Sequence, residues 1–415
     1  KMSVRKLAVK TKADVVVIEI GGTVGDYENM FALEACRELA YEEGKENVCF
    51  INVTYIIEPK SLGEHKSKAA QLGIKRMIEQ GIQPDVVICR SNTPITESIR
   101  QKISLYANVH LKSVVGVDDI KNIYRLPHIL REKVLDEIVM EKLKIEKMPS
   151  KTNGKNLLEW TQKNTLPKNA KTLKIGIAGK YTGSSDTYMS VLKALEHCGA
   201  VVERNVEIKW LETTDFEKGL KSLEEEIDGL DGVIVPGGFG TRGVEGMILV
   251  AEYCRKNNVP YLGLCLGFQI AIIEFARNVC KLKGANSTEF DSSPPHQVID
   301  ILPEQKEIEG LGGNMRLGGK DVEIKKGSRA HKIYGKESCR ERFRHRLECN
   351  PEFIERFEEK GIVFSGKAPN QPIMQILELP QHKFFMASQY HAELTSRPLK
   401  PNPLFLEFIK SGLKK

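Results

Sequence analysis

No apolar run in the 415 residues approaches the roughly 20 that a helix needs to span a bilayer, and no basic-then-apolar leader opens the chain. No membrane partner is expected, and the setting reads as cytoplasmic. No two of the nine cysteines are spaced C-x-x-C, and their number is odd, so neither a disulfide framework nor a zinc site is indicated. Most of them read as small buried apolar residues. Basic residues are not gathered into a tail: the net charge of +7 is spread along the chain, with no recognition helix and no aromatic-basic interleaving. Nucleic acid is therefore not an expected partner, and a small anionic ligand fits the charge as well. Internal repeats and low-complexity tracts are absent. So is a Walker A loop: Gly179-Lys180-Tyr181 and Gly319-Lys320-Asp321 lack both the Ser or Thr after lysine and the glycine five residues before it. The chain does not start with Met, and it is expected to enter a strand almost at once.

What is there is an α/β protein too long for one ordinary core. Strands are expected at "DVVVIEI" (14–20), "NVCFINVTYI" (47–56), "DVVICRS" (85–91) and "SVVGV" (113–117), with helices near 29–44, 64–80 and 96–107. β-branched runs alternating with helices predict a parallel sheet covered on both faces. This first domain is expected to cover 1–141. Residues 142–172, rich in Lys, Asn and Thr, read as a linker with one short helix around Leu157 to Gln162. A second α/β domain, 173–415, runs through "LKIGIAGKY", "DGVIVPGGFG" and "YLGLCLGFQ", and "HQVIDIL" and "FFMASQYHAE" are expected to return to its sheet.

The chemistry concentrates at strand ends of the second domain. Cys265 lies where a strand gives way to a helix, with Gly263 and Gly267 permitting a sharp turn and the helix N-terminus favouring a thiolate. That is the form of a nucleophile elbow with Cys in place of Ser. A thiol nucleophile needs a base and the base an orienting carboxylate. "QYHAE" offers His391 and Glu393, which period-two alternation would put on one strand face. Gly237, Gly238 and the N–H of Leu266 are candidate oxyanion donors. Together these residues predict acyl transfer through a thioester.

"PGGFG", "GLCLGFQ" and "QYHAE" resemble the motifs of class I glutamine amidotransferases. "IEIGGTVGDYE", "GEHKSKAAQ", "VPGGFGTRGVEGM", "GANSTEF", "LGGNMRLGG" and "RFRHRLECN" more specifically resemble the CTP synthase family, over essentially the whole chain. The resemblance implies a P-loop-type parallel-sheet synthetase domain, incomplete here, followed by a glutaminase domain. It implies ATP-dependent amination of UTP to CTP, with ammonia from L-glutamine, Mg2+, activation by GTP, inhibition by CTP and a homotetramer. Cys265, His391 and Glu393 are the implied triad. Gly238, Leu266, Gly267, Phe268, Gln269, Glu289 and Arg346 are the implied glutamine contacts, with Glu289 suited to an amino group and Arg346 to a carboxylate. Glu19 is the implied magnesium ligand. Asp26, Tyr27 and Glu28 match the CTP-responsive segment. Lys66, Ser67, Lys68, Ala69, Ala70 and Gln71 match the UTP segment, Lys102 matches a further nucleotide lysine, and Asp118, Asp119 and Ile120 match the segment that lines adenine. Arg242 and the loop around Gly312 to Gly318 match a region associated with GTP.

Departures are few. Ala392 stands where the family has Pro, Phe268 replaces the usual Met, and Ala69-Ala70 replaces Pro-Thr. The family's glycine-rich phosphate loop is not in the sequence, so the chain is expected to be part of a longer synthase and not to phosphorylate UTP alone. A non-synthesising nucleotide-binding or assembly subunit, or another glutamine amidotransferase, are the alternatives to CTP synthesis.

Overall fold

The computed structural model describes every residue except 60, 62, 121, 147–154, 168, 181, 183–184, 302–314 and 414–415. The chain divides into two compact units, Lys1–Gln162 and Lys163–Lys415.

In the first unit, β1 (Ile51–Tyr55), β2 (Val86–Ser91) and β3 (Val114–Asp118) form a parallel sheet in that order. Neighbouring residues of β2 and β3 serve opposite faces, as the pleat requires. Val87, Cys89 and Val114 pack with Ile56 against the helices Lys68–Glu79 and Glu97–Ala107. Those helices turn Ala70, Ile74 and Met77, and Ile99, Ile103 and Ala107, inward at three- and four-residue spacing. Thr96 caps the second of them, its Oγ1 accepting from Ile99 N–H at 3.4 Å. Val86, Val115 and Val117 cover the other face with Ile138.

Two expectations fail in this unit. Residues 14–20 form no ladder among the described residues, and Val15, Val17 and Ile18 are exposed. An apolar run supplies only one side of a strand, and no described strand lies against it. The chain also opens on a helix, Met2–Thr11, in place of a strand. Arg5 there meets Glu42 at 2.7 Å on the helix Met30–Glu43.

The second unit is built on a nine-stranded sheet. Its parallel half runs β5 (Asn205–Glu212), β4 (Thr172–Gly179), β6 (Gly232–Val235), β7 (Tyr261–Leu264) and β15 (Phe385–Ser388). Antiparallel strands continue it through β14 (Met374–Glu378), β13 (Val363–Lys367), β10 (Arg316–Ile324) and β11 (Ser338–His345). Helices Val244–Lys256 and Leu266–Asn278 supply one core, and Met189–Val202 and Pro403–Leu413 the other. "FFMASQ" does return to the main sheet. "HQVID" does not: β9 (His296–Asp300) pairs instead with β8 (Ala285–Ser287) and β12 (Glu348–Cys349) in a small separate sheet. A run of the right period does not say which edge it will join.

Candidate active site

β7 lies between β6 and β15, so the segments leaving all three strands converge at one end of the sheet. Cys265 joins β7 to the helix Leu266–Asn278 at φ 51° and ψ −96°, a conformation that costs a non-glycine residue energy. Its backbone N–H donates to Ser388 O at 2.8 Å, which fixes the turn to β15. The turn is tight on both sides. A Cβ on Gly263 would lie 2.5 Å from Gly267 O, and one on Gly267 would lie 2.1 Å from Val235 O. Only glycine lets the helix start this close to the sheet. Leu266 is the first residue of that helix, so its N–H belongs to the donors that no intrahelical carbonyl serves.

β15 ends at Ser388, and His391 caps a one-turn 3-10 helix, Ala392–Thr395. His391 and Glu393 are thus joined by a turn and not by strand alternation. The N–H of His391 donates to Arg342 O at 2.9 Å, and its Nδ1 is 2.7 Å from Glu393 Oε1. Cys265 acts on the same imidazole, and both side chains border Gly237, whose added Cβ would lie 2.8 Å from His391 Cε1 and 3.6 Å from Cys265 Cβ. With Nδ1 committed to Glu393, Nε2 is the nitrogen left for the thiol. Burial works against charge on His391, but Cys265 and Glu393 together outweigh it and raise its pKa to about 10. A base raised above its ordinary value contributes stability that is complete below pH ~6.5 and fades as pH rises through about 10. Glu393→Gln removes one of the charges that raise it. The alkaline limb of activity is then expected to move down by about 1 pH unit or more, as a kcat profile would record.

Gly237 and Gly238 follow β6. A Cβ on Gly237 would sit 2.8 Å from His391 Cε1, and one on Gly238 would sit 3.1 Å from Leu266 Cδ2. The glycine loop therefore closes over the imidazole and the helix start. Glu289 reaches the same loop, its Oε1 accepting from Gly240 N–H at 2.7 Å. Lys180, at the end of β4, donates to the carbonyls of Phe239 and of Gly240, the latter at 2.8 Å, and burial lowers its pKa. Arg242 donates to the Lys180 carbonyl. Of the loop around Gly312 to Gly318, Gly312, Gly313 and Asn314 lie outside the described residues.

Gln269 is buried and donates to Leu347 O at 3.2 Å, next to exposed Arg346 in the turn between β11 and β12. The Phe268 side chain packs in the core, so only its backbone belongs to the elbow. Gln389 was missed by sequence reasoning. It is fully buried, and its Nε2 lies 3.4 Å from Cys265 O and 3.7 Å from Cys265 Sγ. A glutamine two residues before the histidine, at the end of an apolar strand, was the available signal.

Residues 1–145 match the family model for the CTP synthase N-terminus, and 184–411 match glutamine amidotransferase class-I. The CTP synthase of Thermococcus kodakarensis is 44% identical over 97% of this chain and 74% of its own length. That of Carboxydothermus hydrogenoformans is 46% identical over 100% of this chain and 76% of its own. The chain belongs to the CTP synthase family. It is a ligase with a glutamine amidotransferase domain. Among solved structures, the Trypanosoma brucei CTPS glutaminase domain with bound acivicin aligns with a TM-score of 0.54 at 36% identity, covering 59% of this chain and 94% of that one.

The residues that resemble the nucleotide sites of CTP synthases lie in the first unit. Asp26 Oδ2 accepts from Thr23 N–H at 3.0 Å and heads the 3-10 turn Tyr27–Asn29, leaving Tyr27 90% exposed and Glu28 exposed. Lys66 pairs with Glu64, whose pKa that hydrogen bond lowers. Lys68 and Ala69 are exposed, whereas Ala70 packs in the core and Gln71 Nε2 is bonded to Ser67 Oγ at 3.0 Å. Asp118 ends β3 and lines a cavity of about 330 Å3 with Ile95, Arg100, Lys112 and Val134. Beyond it Asp119 takes Arg90 at 3.0 Å, followed by half-buried Ile120. Glu19 is exposed and lies in no strand, and no group of three or more His, Cys, Asp or Glu that could hold a metal occurs among the described residues. Glu19 offers one carboxylate, and Mg2+ in a nucleotide site takes its other oxygens from phosphates and water rather than from an all-protein cage.

Proposed function

We propose that the second unit hydrolyses L-glutamine through Cys265, His391 and Glu393, and that the ammonia aminates UTP to CTP at the expense of ATP. The observation that carries this reading is His391, shared between the thiol and a buried carboxylate at the ends of adjacent sheet segments. The Cys265 thiolate attacks the amide carbon of glutamine. The oxyanion that forms takes the N–H groups of Leu266 and Gly238. His391 gives its proton to the leaving nitrogen, ammonia departs, and a glutamyl thioester remains. Water, deprotonated by His391, then releases glutamate and restores the thiol. Glu393 holds the imidazole tautomer throughout, and Gln389 steadies the nucleophile's carbonyl and sulfur.

Glu289 and Arg346 would take the amino and carboxylate groups of glutamine. Loss of one such charged contact, in Arg346→Met, is expected to raise KM about 10- to 100-fold with little change in kcat, read by steady-state ammonia release. The synthetase role falls to residues 1–141, joined by 142–172 to a glutaminase of 173–415. There Lys66, Ser67, Lys68, Ala69, Ala70 and Gln71 form the UTP segment, Lys102 is a further nucleotide contact, Asp26, Tyr27 and Glu28 respond to CTP, and Asp118, Asp119 and Ile120 line ATP's adenine. GTP activation through Arg242, Mg2+ at Glu19, and a homotetramer complete the reading. The test is transfer of label from amide-15N glutamine to the exocyclic amine of CTP in the presence of UTP and ATP. Transfer supports the proposal. Label that stays in free ammonia, while added ammonia also yields no CTP even when a relative's phosphate-loop segment is joined to the chain, refutes the synthetase role.

A further inference from the structure

The His391 and Glu393 geometry has a support that the mechanism above does not use. Glu393 bonds His391 through Oε1, while its Oε2 is buried and has no hydrogen-bond partner among the described residues. Its carboxylate is therefore placed by the backbone of the turn 392–395 and not by further side-chain donors.

That turn is fastened to Glu341, a residue of β11 that is 4% exposed. Glu341 Oε2 accepts from Thr395 Oγ1 at 2.6 Å, and its Oε1 accepts from Asn402 Nδ2 at 3.0 Å and from the Tyr334 hydroxyl at 3.3 Å. Thr395 closes the turn that Glu393 belongs to. Asn402 Nδ2 also reaches Thr395 Oγ1 at 2.8 Å, so the threonine hydroxyl is held from both sides. The Tyr334 hydroxyl is 2.8 Å from that of Tyr390, which is fully buried and precedes His391. One carboxylate thus gathers the two ends of the segment 390–395. The neighbouring residue, Arg342, receives the His391 N–H in its carbonyl. A buried carboxylate is costly against an apolar side chain of the same volume, unless its donors are needed where they are.

We propose that Glu341 is a positioning residue for His391 and Glu393, acting through Thr395 on one side and through Tyr334 and Tyr390 on the other. It rests on the triad reading given above. Its carboxylate fixes the turn, the turn fixes Glu393, and Glu393 aims the imidazole at Cys265.

The experiment compares Glu341→Gln and Thr395→Val with the parent chain, reading kcat and KM for glutamine, thermal stability, and the rate at which iodoacetamide labels Cys265. Glu341→Gln keeps the volume but replaces one acceptor oxygen by a donor. It is expected to lower kcat about 10- to 100-fold, with KM nearly unchanged and labelling slowed in parallel. Thr395→Val is expected to show the same pattern more weakly, and the double variant to be no worse than Glu341→Gln. Variants that melt earlier but keep the parent's kcat and labelling rate would overturn the proposal, since they would show support of the core alone. Should Glu341→Gln not fold, Thr395→Val and Tyr334→Phe carry the test, and parental kcat and labelling in both overturn it. Cys265→Ala separates the two claims. Hydrolysis surviving in that variant defeats the triad reading itself. Hydrolysis lost there, with Glu341→Gln unimpaired, defeats only the role of Glu341.

Discussion

Cys265→Ala is expected to lower glutamine hydrolysis by about 10⁴-fold or more while leaving the fold intact. No other thiol can take over. Burial raises the Cys49 pKa to about 11 and those of Cys89 and Cys339 to about 12. Burial pushes Cys198, Cys254 and Cys349 up further, and Cys36 and Cys280 are raised as well. No histidine acts on any of these eight, whereas Cys265 and His391 act on one another. A thiol held as the neutral acid is a poor nucleophile, so a scattered supply of cysteines does not substitute for one placed beside a base. Stability should change little, because alanine removes one sulfur and leaves the backbone path as it was. Ammonia release and a thermal melt on the same preparation check both halves of the expectation.

Gly267→Ala is expected to destabilise the second unit by about 3 kcal/mol and to abolish hydrolysis with it. The added methyl would meet Val235 O at 2.1 Å and Val235 C at 3.0 Å. Both are backbone atoms of β6, a central strand, and neither can swing aside as a side-chain tip would. Relief requires moving the helix Leu266–Asn278 away from the sheet, which would carry Cys265 out of line with His391. Gly73→Ala is the matching control. It lies in the helix Lys68–Glu79 with nothing within 4 Å of an added Cβ, and should be neutral or stabilising by about 0.5–1 kcal/mol. Urea titrations of the two variants give the contrast directly.

The site was legible where local chemistry and strand ends coincide. The turn at Cys265 announces itself through its two glycines, because a sharp strand-to-helix passage needs residues without Cβ atoms. His391 and Glu393 were readable as a pair from spacing alone, although the turn that joins them was not. Helices 68–79 and 97–107 follow from their apolar spacing and end where the sequence stops supplying it. Residues 14–20 show the limit of that reasoning. Their apolar pattern is as strong as that of β2, yet a ladder depends on a partner that pattern does not name. The same limit hid β9, whose neighbours are β8 and β12 and not the main sheet. Gln389 and Glu341 escaped for another reason. A polar residue in a buried strand earns its role from what faces it, and Tyr334, Thr395 and Asn402 come from separate stretches of chain. The nucleotide segments stand between these cases. Lys66 pairs with Glu64 and Lys68 is exposed, but Ala70 turns into the core.

The most direct test of the central claim is to quench the chain with acid during glutamine turnover and map covalent adducts by peptide mass spectrometry. The account predicts a glutamyl group on the peptide that contains Cys265, accumulating further when His391→Asn slows its hydrolysis relative to its formation by added electrophilic glutamine ester. Turnover with Cys265 unmodified throughout, or a glutamyl group on any of the other eight cysteines, would contradict it.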